Sequence, residues 1–377
     1  MLVATALLAT LPLAPTRAAG PEPDSALIRK HVATLASPEF GGRRGPVAEK
    51  SRTYLIDEFK RLGLRPLFDG SFVQDIPDRE PGSLMGRNVG AKLVGSDPKL
   101  RDEWVIVAAH FDHLGVRDGV LYPGADDNAS AVAMMLEVAR CLVASPEKPR
   151  RSVMFLGFDL EERALFGSRY FVEHSPIPLD KVALFVTADM IGRSLAGVGT
   201  DFVFVLGTER WPASRAWLRE ASRDKPLRVG LLGADLLLLD RSDYGPFRAR
   251  KVPFLFFSTG ENPCYHTPDD RPETLDYPKA AAISRVMYDV IRRAIQADDR
   301  PVWREPADNG MDEARSLRVV LKMLREHSAE LKIGRTPSYF MDQALTTLDG
   351  LVERGRIEPS ERASVIRMAQ LVMAAIF

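Results

Sequence analysis

Cysteine is scarce in this sequence: Cys141 and Cys264 are the only two among 377 residues. That excludes a cysteine-built structural zinc site and a disulfide-dense scaffold. Neither sign of charge is in excess, because 51 basic residues balance 51 acidic ones. No overall field therefore favours nucleic acid or an anionic membrane surface, and no nucleic-acid partner is expected. The sequence also lacks a Lys/Arg block, an internal repeat and a low-complexity tract. Beyond the first 20 residues no apolar run is long enough to span a bilayer, so stable membrane insertion is not expected. What is present is ordinary for a globular protein: 45% hydrophobic and 27% charged residues. The length suits one large α/β domain with an appendage, or two modest domains.

The first residues read "MLVATALLATLPLAPTRAAG", apolar from Leu2 to Ala14 and ending in small side chains. This is too short for a membrane span and fits the apolar part of a signal peptide, with cleavage after Ala18 and Thr16 at the third position back. No Lys or Arg precedes Arg17, so the usual basic start is missing, and a buried helix is the competing reading. Residues 1–18 are expected to be a signal peptide and the mature protein to be exported, to the periplasm or outside the cell.

From Ser25 to Leu64 the apolar spacing is helical, with Tyr54, Leu55, Phe59 and Leu62 on one face and Gly63 as a stop. The Gly/Arg stretch "SPEFGGRRG" interrupts it as a loop. Strand and helix patterns then alternate. "NVGAKLVG" (88–95), "WVIVAAH" (104–110), "SVMFLGF" (152–158), "VALFVTA" (182–188), "FVFVLG" (202–207) and "VPFLFFS" (252–258) read as strands. Residues 128–144, the segment "ALFGSRYFVEH" and residues 277–297 read as helices. Near-continuous apolar strands between helices predict an α/β fold, with a mostly parallel, mixed central sheet covered on both faces. After "DDRPVWREPADNG" only helical patterns remain, so residues 24–300 are expected to form the main domain and 301–377 a helical C-terminal extension.

The acids and histidines cluster at strand ends. His110 closes one strand, Glu161 and Glu162 follow the next, Asp189 follows a third, and His266 lies after the last. Asp127 directly precedes a predicted helix. In open α/β sheets sites gather beyond the carboxyl ends of strands. Two imidazoles and three carboxylates form an N/O donor set that suits zinc, or less selectively manganese or cobalt. Five ligands are one too many for a single tetrahedral zinc. They fit two zinc ions per chain, about 3.5–4 Å apart, if one carboxylate bridges them. Three carboxylates and one hydroxide also balance two Zn²⁺. Asp112, two residues past His110, is placed to reach the other ring nitrogen and fix the tautomer. Side chains of the neighbours Glu161 and Glu162 diverge, so one can bind metal while the other acts as a base.

The segments "AHFDHLG", "GADDNASAVA", "EERALFGSRYF", "ADMIGR", "RSDYGPF" and "CYHTPDD" together resemble the M28 family of zinc aminopeptidases over about residues 108 to 270. "LASPEFGGRRG" extends the resemblance weakly to about residue 34. The resemblance implies that Asp127 bridges two zinc ions. It implies that His110 and Asp189 complete one metal site and Glu162 and His266 the other. By the same resemblance Glu161 is the general base, Asp112 the partner of His110, Tyr265 a hydroxyl donor to the tetrahedral intermediate, and Arg241 a substrate contact. The activity implied is metal-dependent hydrolysis of the first bond of peptides with a free N-terminus. Departures fall in "GENPCYH", with Glu261 where the family often has His and Cys264 where it often has Asp, and at Ala164, where Gly is common.

Other histidines and acids have plainer readings. His113 is expected to point away along an extended backbone, and His31, His174 and His327 to lie at the surface or at caps. Asp126 is read as an acid at a helix N-terminus, and Cys264 as a small buried residue. Two other reactions compete with aminopeptidase activity. A single-zinc glutaminyl cyclase would typically carry Trp where this chain has Tyr265. A carboxypeptidase of the same superfamily usually carries an inserted domain, for which there is no room between "NVGAKLVG" and "WVIVAAH". Receptor-like relatives that lost their ligands are the non-catalytic reading, against which the full ligand set stands.

Overall fold

The computed structural model describes residues 20–237, 239–305, 307 and 310–376; the expected signal peptide lies outside them. Along the chain the strands are β1 (Arg65–Pro66), β2 (Val73–Pro77), β3 (Leu84–Leu93), β4 (Trp104–His110), β5 (Gly115–Arg117), β6 (Val120–Tyr122), β7 (Ser152–Phe158), β8 (Val182–Ala188), β9 (Phe202–Leu206), β10 (Arg228–Leu231) and β11 (Phe254–Ser258). The α-helices are α1 (Ser25–Leu35), α2 (Ala48–Arg61), α3 (Ala131–Ala144), α4 (Phe166–Glu173), α5 (Ser214–Ser222), α6 (Tyr244–Ala249), α7 (Tyr277–Gln296), α8 (Gly310–Glu326), α9 (Arg335–Arg354) and α10 (Pro359–Ile376).

Nine strands form one sheet in the order β1-β3-β7-β4-β8-β11-β9-β10, with β2 also paired to β3. The strands β7, β4, β8 and β11 are adjacent and mutually parallel. On one flank β3 joins β7 antiparallel, and on the other β9 joins β11 antiparallel. The sheet is therefore mixed, and its four parallel strands all end at one edge. Every residue of β7, β8 and β11 is buried, as is β4 after Trp104, because helices cover both faces. One buried cluster includes Ile28 of α1, Leu55 of α2, Met134 of α3, Leu218 of α5 and Val286 of α7. The other includes Phe171 of α4, Phe247 of α6, Leu321 of α8, Leu348 of α9 and Val365 of α10. The C-terminal helices thus share a core with the sheet. No helix among the described residues is long and apolar enough to cross a membrane.

Two helices begin later than their apolar patterns suggest. The segment before α3, Ala125–Ser130, is an irregular turn in which Asp127 (φ −102°) and Asn128 (φ −127°) leave helical geometry. The segment before α4 places Leu160, Ala164 and Leu165 at positive φ. Both segments sit at the acidic edge, where the backbone turns to present side chains inward instead of continuing a helix.

Candidate metal centre

Asp127 lies between two groups of donors and faces each with a different oxygen. Its Oδ1 is 3.6 Å from His110 Nε2. Its Oδ2 is 3.2 Å from His266 Nε2 and 3.6 Å from His113 Nδ1. On the first side, His110 Nε2 is 3.5 Å from Asp189 Oδ1 and 4.0 Å from Glu161 Oε2. On the second side, Glu162 Oε2 is 3.2 Å from His266 Nε2. Two compact donor groups result, His110–Glu161–Asp189 and His113–Asp127–Glu162, with His266 beside the second. All five sequence-derived ligands and Glu161 meet at the edge formed by β4, β7, β8 and β11.

The backbone carrying these donors is tied down from several directions. Asp112 accepts hydrogen bonds from the amides of Glu161 (3.0 Å) and Glu162 (3.3 Å). Its carboxylate stands 3.7 Å from His110 Nδ1, while its carbonyl is closer, at 3.3 Å. The Asp112 carboxylate thus ties down the loop of Glu161 and Glu162 while standing beside the His110 ring, whose proton affinity it helps to raise. Asp270 accepts from the amides of Asp126 and Asp127 and pairs with Arg193. Asp126 is buried and accepts from the Gly192 amide at 2.6 Å, so it links two loops and does not serve an exposed helix end. The fully buried Arg43 donates to the carbonyls of Leu35, Phe111, Pro123, Gly124 and Asp127. One guanidinium thereby joins the "GGRR" loop to the turn after β4 and to the loop that carries Asp127. Burial lowers Arg43 to about 10, against the pull of Asp127, Asp270 and Asp112.

Electrostatics divide the two neighbouring glutamates. Burial, with Asp189 and Asp243 nearby, holds the Glu161 carboxyl well above the usual carboxylate range despite the attraction of His110. Burial acts in the same direction on Glu162, but hydrogen bonds with His113 and His266 outweigh it and hold that carboxyl well below the range. Burial opposes charge on the imidazoles too, yet Glu161 and Asp189 raise His110 well above its ordinary value. Hydrogen bonds with Asp127 and Glu162 likewise raise His266 to about 10. A field that draws protons onto buried imidazoles draws divalent cations equally. Three buried atoms, His110 Nε2, Asp189 Oδ1 and His113 Nε2, make no hydrogen bond among the described residues. Such orphans are rare unless a ligand completes them. The donor chemistry and the partnerless His110 and Asp189 atoms fit a divalent metal held by imidazole and carboxylate.

Tyr265 is partly buried and stacks on His266, with ring centroids 3.9 Å apart. Burial, with Asp127 and Asp189 close, raises its phenol, so the hydroxyl keeps its proton as a donor. Arg241 is exposed at the rim, and its Nη2 is 2.6 Å from Glu261 Oε1. Cys264 is half-buried, not buried, and both cysteines are free. Three features escape the sequence reading. His113 points inward, and its Nδ1 is 3.0 Å from Glu162 Oε1. His31 is buried against the Tyr54 hydroxyl at 2.6 Å and is not a surface residue. Asp243, in the "RSDYGPF" motif, is fully buried, and burial pushes it up to about 7 beside His110, Asp112 and Asp189. A second His three residues after the first was the only available signal for His113; nothing in the spacing marks Asp243.

The model of peptidase family M28 matches residues 88–291. Aminopeptidase YwaD of Bacillus subtilis is 28% identical over 204 residues, which cover 52% of this chain and 42% of that protein. A glutaminyl-peptide cyclotransferase of Boiga irregularis is 28% identical over 245 residues, covering 54% of this chain and 65% of that one. The matched region thus spans less than two thirds of these relatives' length. The solved structure of LapB from Legionella pneumophila shares the fold, with TM-score 0.59, 20% identity and 73% of each chain covered.

Proposed function

Because the chain belongs to peptidase family M28, we propose that it is a metal-dependent aminopeptidase that hydrolyses the first bond of peptides with a free N-terminus. One observation carries the reading: Asp127 turns its two oxygens toward two separate imidazole–carboxylate groups. Two zinc ions per chain suit that arrangement, with His110 and Asp189 on one side, Glu162 and His266 on the other, and Asp127 shared. When bound, zinc supplies Lewis acidity, making water more acidic and polarising the substrate carbonyl. Glu161, the glutamate that favours its proton, accepts one from the attacking water and returns it to the leaving amine. The Tyr265 hydroxyl donates to the oxygen on which charge develops. Asp189, with Glu161 beside it when that carboxyl is ionised, offers negative charge to the substrate ammonium, and Arg241 contacts the substrate at the rim. Residues 301–377 brace this catalytic unit, and export through residues 1–18 belongs to the same reading.

The test compares a Leu- or Ala-initiated peptide with its N-acetyl form, with and without chelator. The free peptide should lose its first residue, the acetylated peptide should remain intact, and chelation should stop the reaction. Cleavage of the acetylated peptide, or release from the C-terminus, would overturn the aminopeptidase assignment and leave a metal hydrolase. Ring closure of a glutaminyl peptide without hydrolysis would identify a cyclase.

A further inference from the structure

His113 is outside the five ligands of the proposed function, yet it is one of the most tightly enclosed side chains of the centre, 1% exposed. Its ring lies across Gly124, which has φ +61°. A Cβ at that position would come within 2.5 Å of the ring, so glycine is needed to let the imidazole in. The His113 amide donates to the Arg43 carbonyl at 3.4 Å, which sets the direction of the side chain from the backbone.

The ring makes one polar attachment. Nδ1 is 3.0 Å from Glu162 Oε1, whereas Nε2 has no hydrogen-bond partner among the described residues. Asp127 Oδ2, at 3.6 Å from Nδ1, is beyond hydrogen-bonding distance. An ionised carboxylate only accepts, so the proton of the His113–Glu162 bond lies on Nδ1. The two oxygens of Glu162 then have separate partners: Oε1 is taken by His113, and Oε2 faces His266 Nε2 at 3.2 Å. A glutamate on a connecting loop, between β7 and α4, has three side-chain torsions to fix. A buried donor on one oxygen fixes them and aims the other oxygen.

We propose that His113 is a positioning residue of the metal centre, whose Nδ1–H holds Glu162 Oε1 so that Oε2 is presented to the ion shared with His266 and Asp127. The proposal rests on the metal reading above and adds a residue to it. Removing such a hydrogen-bonding partner of a ligand typically weakens metal binding by about 10–100-fold.

The side chains of Asn and Gln separate this role from simple packing. Asn carries its amide nitrogen where His carries Nδ1, and Gln carries its own nearer the position of Nε2. Zinc affinity of the full chain is measured by competition with a chromophoric chelator, alongside elemental content and circular dichroism. His113→Phe keeps a ring without the donor and should weaken one of the two ions by about 10–100-fold, leaving the other unchanged. His113→Gln should fall with it, and His113→Asn should stay close to wild type. If His113→Phe and His113→Gln both hold two ions as tightly as wild type, the proposal is overturned and the metal reading stands. If His113→Asn is as weak as His113→Phe, donation from Nδ1 is overturned. If the wild-type chain takes up no zinc, the metal reading itself falls, a result distinct from either of these. Should His113→Phe fail to fold, the Asn/Gln pair alone gives the answer.

Discussion

At the scale of single residues, adjacent positions in the chain do opposite work because their surroundings differ. Glu161 and Glu162 are chemically identical, and both amides are held by Asp112. Only Glu162 has imidazoles on both oxygens, through His113 and His266. That difference favours Glu162 as the ionised ligand of the proposed function and Glu161 as its base. Glu161→Gln should leave zinc content near wild type and reduce turnover by about 10²–10⁴-fold, the usual worth of a general base. Glu162→Gln should instead lower zinc occupancy, read by elemental analysis after gel filtration. Reversed phenotypes would reverse the assignment within the pair. The residue types of this site were legible in the sequence because N/O donors at four strand ends have few other uses. Their directions were less so. His113 reads as outward if the strand continues past His110, but β4 ends at His110 and the periodicity of two ends with it.

At the scale of elements, what was legible follows from burial. β4, β7 and β8 match their apolar runs residue for residue, since strands covered on both faces carry an unbroken signal. Edge elements carry little of it: β1, β2 and β10 are short, partly exposed and absent from the pattern. The late starts of α3 and α4 were hidden because propensity cannot register the turns that aim Asp127 and Glu161. The C-terminal helices read correctly as helices, but their attachment was invisible. Arg362 of α10 bridges the buried Glu313 of α8 and Asp235. Glu313 in turn accepts from the Gly233 amide at 2.7 Å, at the start of the segment that leads to Arg241 and Asp243. Arg362→Met should leave Glu313 buried and without its counter-charge, at a cost of about 3–5 kcal/mol in guanidinium unfolding. Adding Glu313→Gln to that variant should recover part of the loss, because it removes the stranded charge. A double variant no more stable than Arg362→Met would show that packing, not charge, fixes the tail.

At the scale of the whole molecule, the parallel direction of four strands concentrates like charge. The buried Asp112, Asp127 and Asp189 share one edge with the partly buried Glu161 and Glu162, and the buried Asp126, Asp243 and Asp270 lie just behind it. Arg43 and Arg193 reach this group through Asp127's carbonyl and Asp270. The raised values of Asp126 and Asp243, both about 7 and both caused chiefly by burial, express the same strain on the folded state. A divalent ion bound at the edge relieves that repulsion in the folded chain, while the unfolded chain keeps its carboxylates apart in water. Binding that favours the folded state stabilises it by RT ln(1 + [L]/Kd), about 2.7 kcal/mol when free metal is 100 times Kd. Calorimetry should therefore give a Tm several degrees higher with excess zinc than with chelator. The gap should narrow in Asp127→Asn, which removes the charge shared by both donor groups. An unchanged Tm on chelation would mean that the edge is neutralised by protons alone. In that case stability should fall as the pH rises from about 4 toward 7, where folded Asp126 and Asp243 keep protons that the unfolded chain has released, and level off above 7.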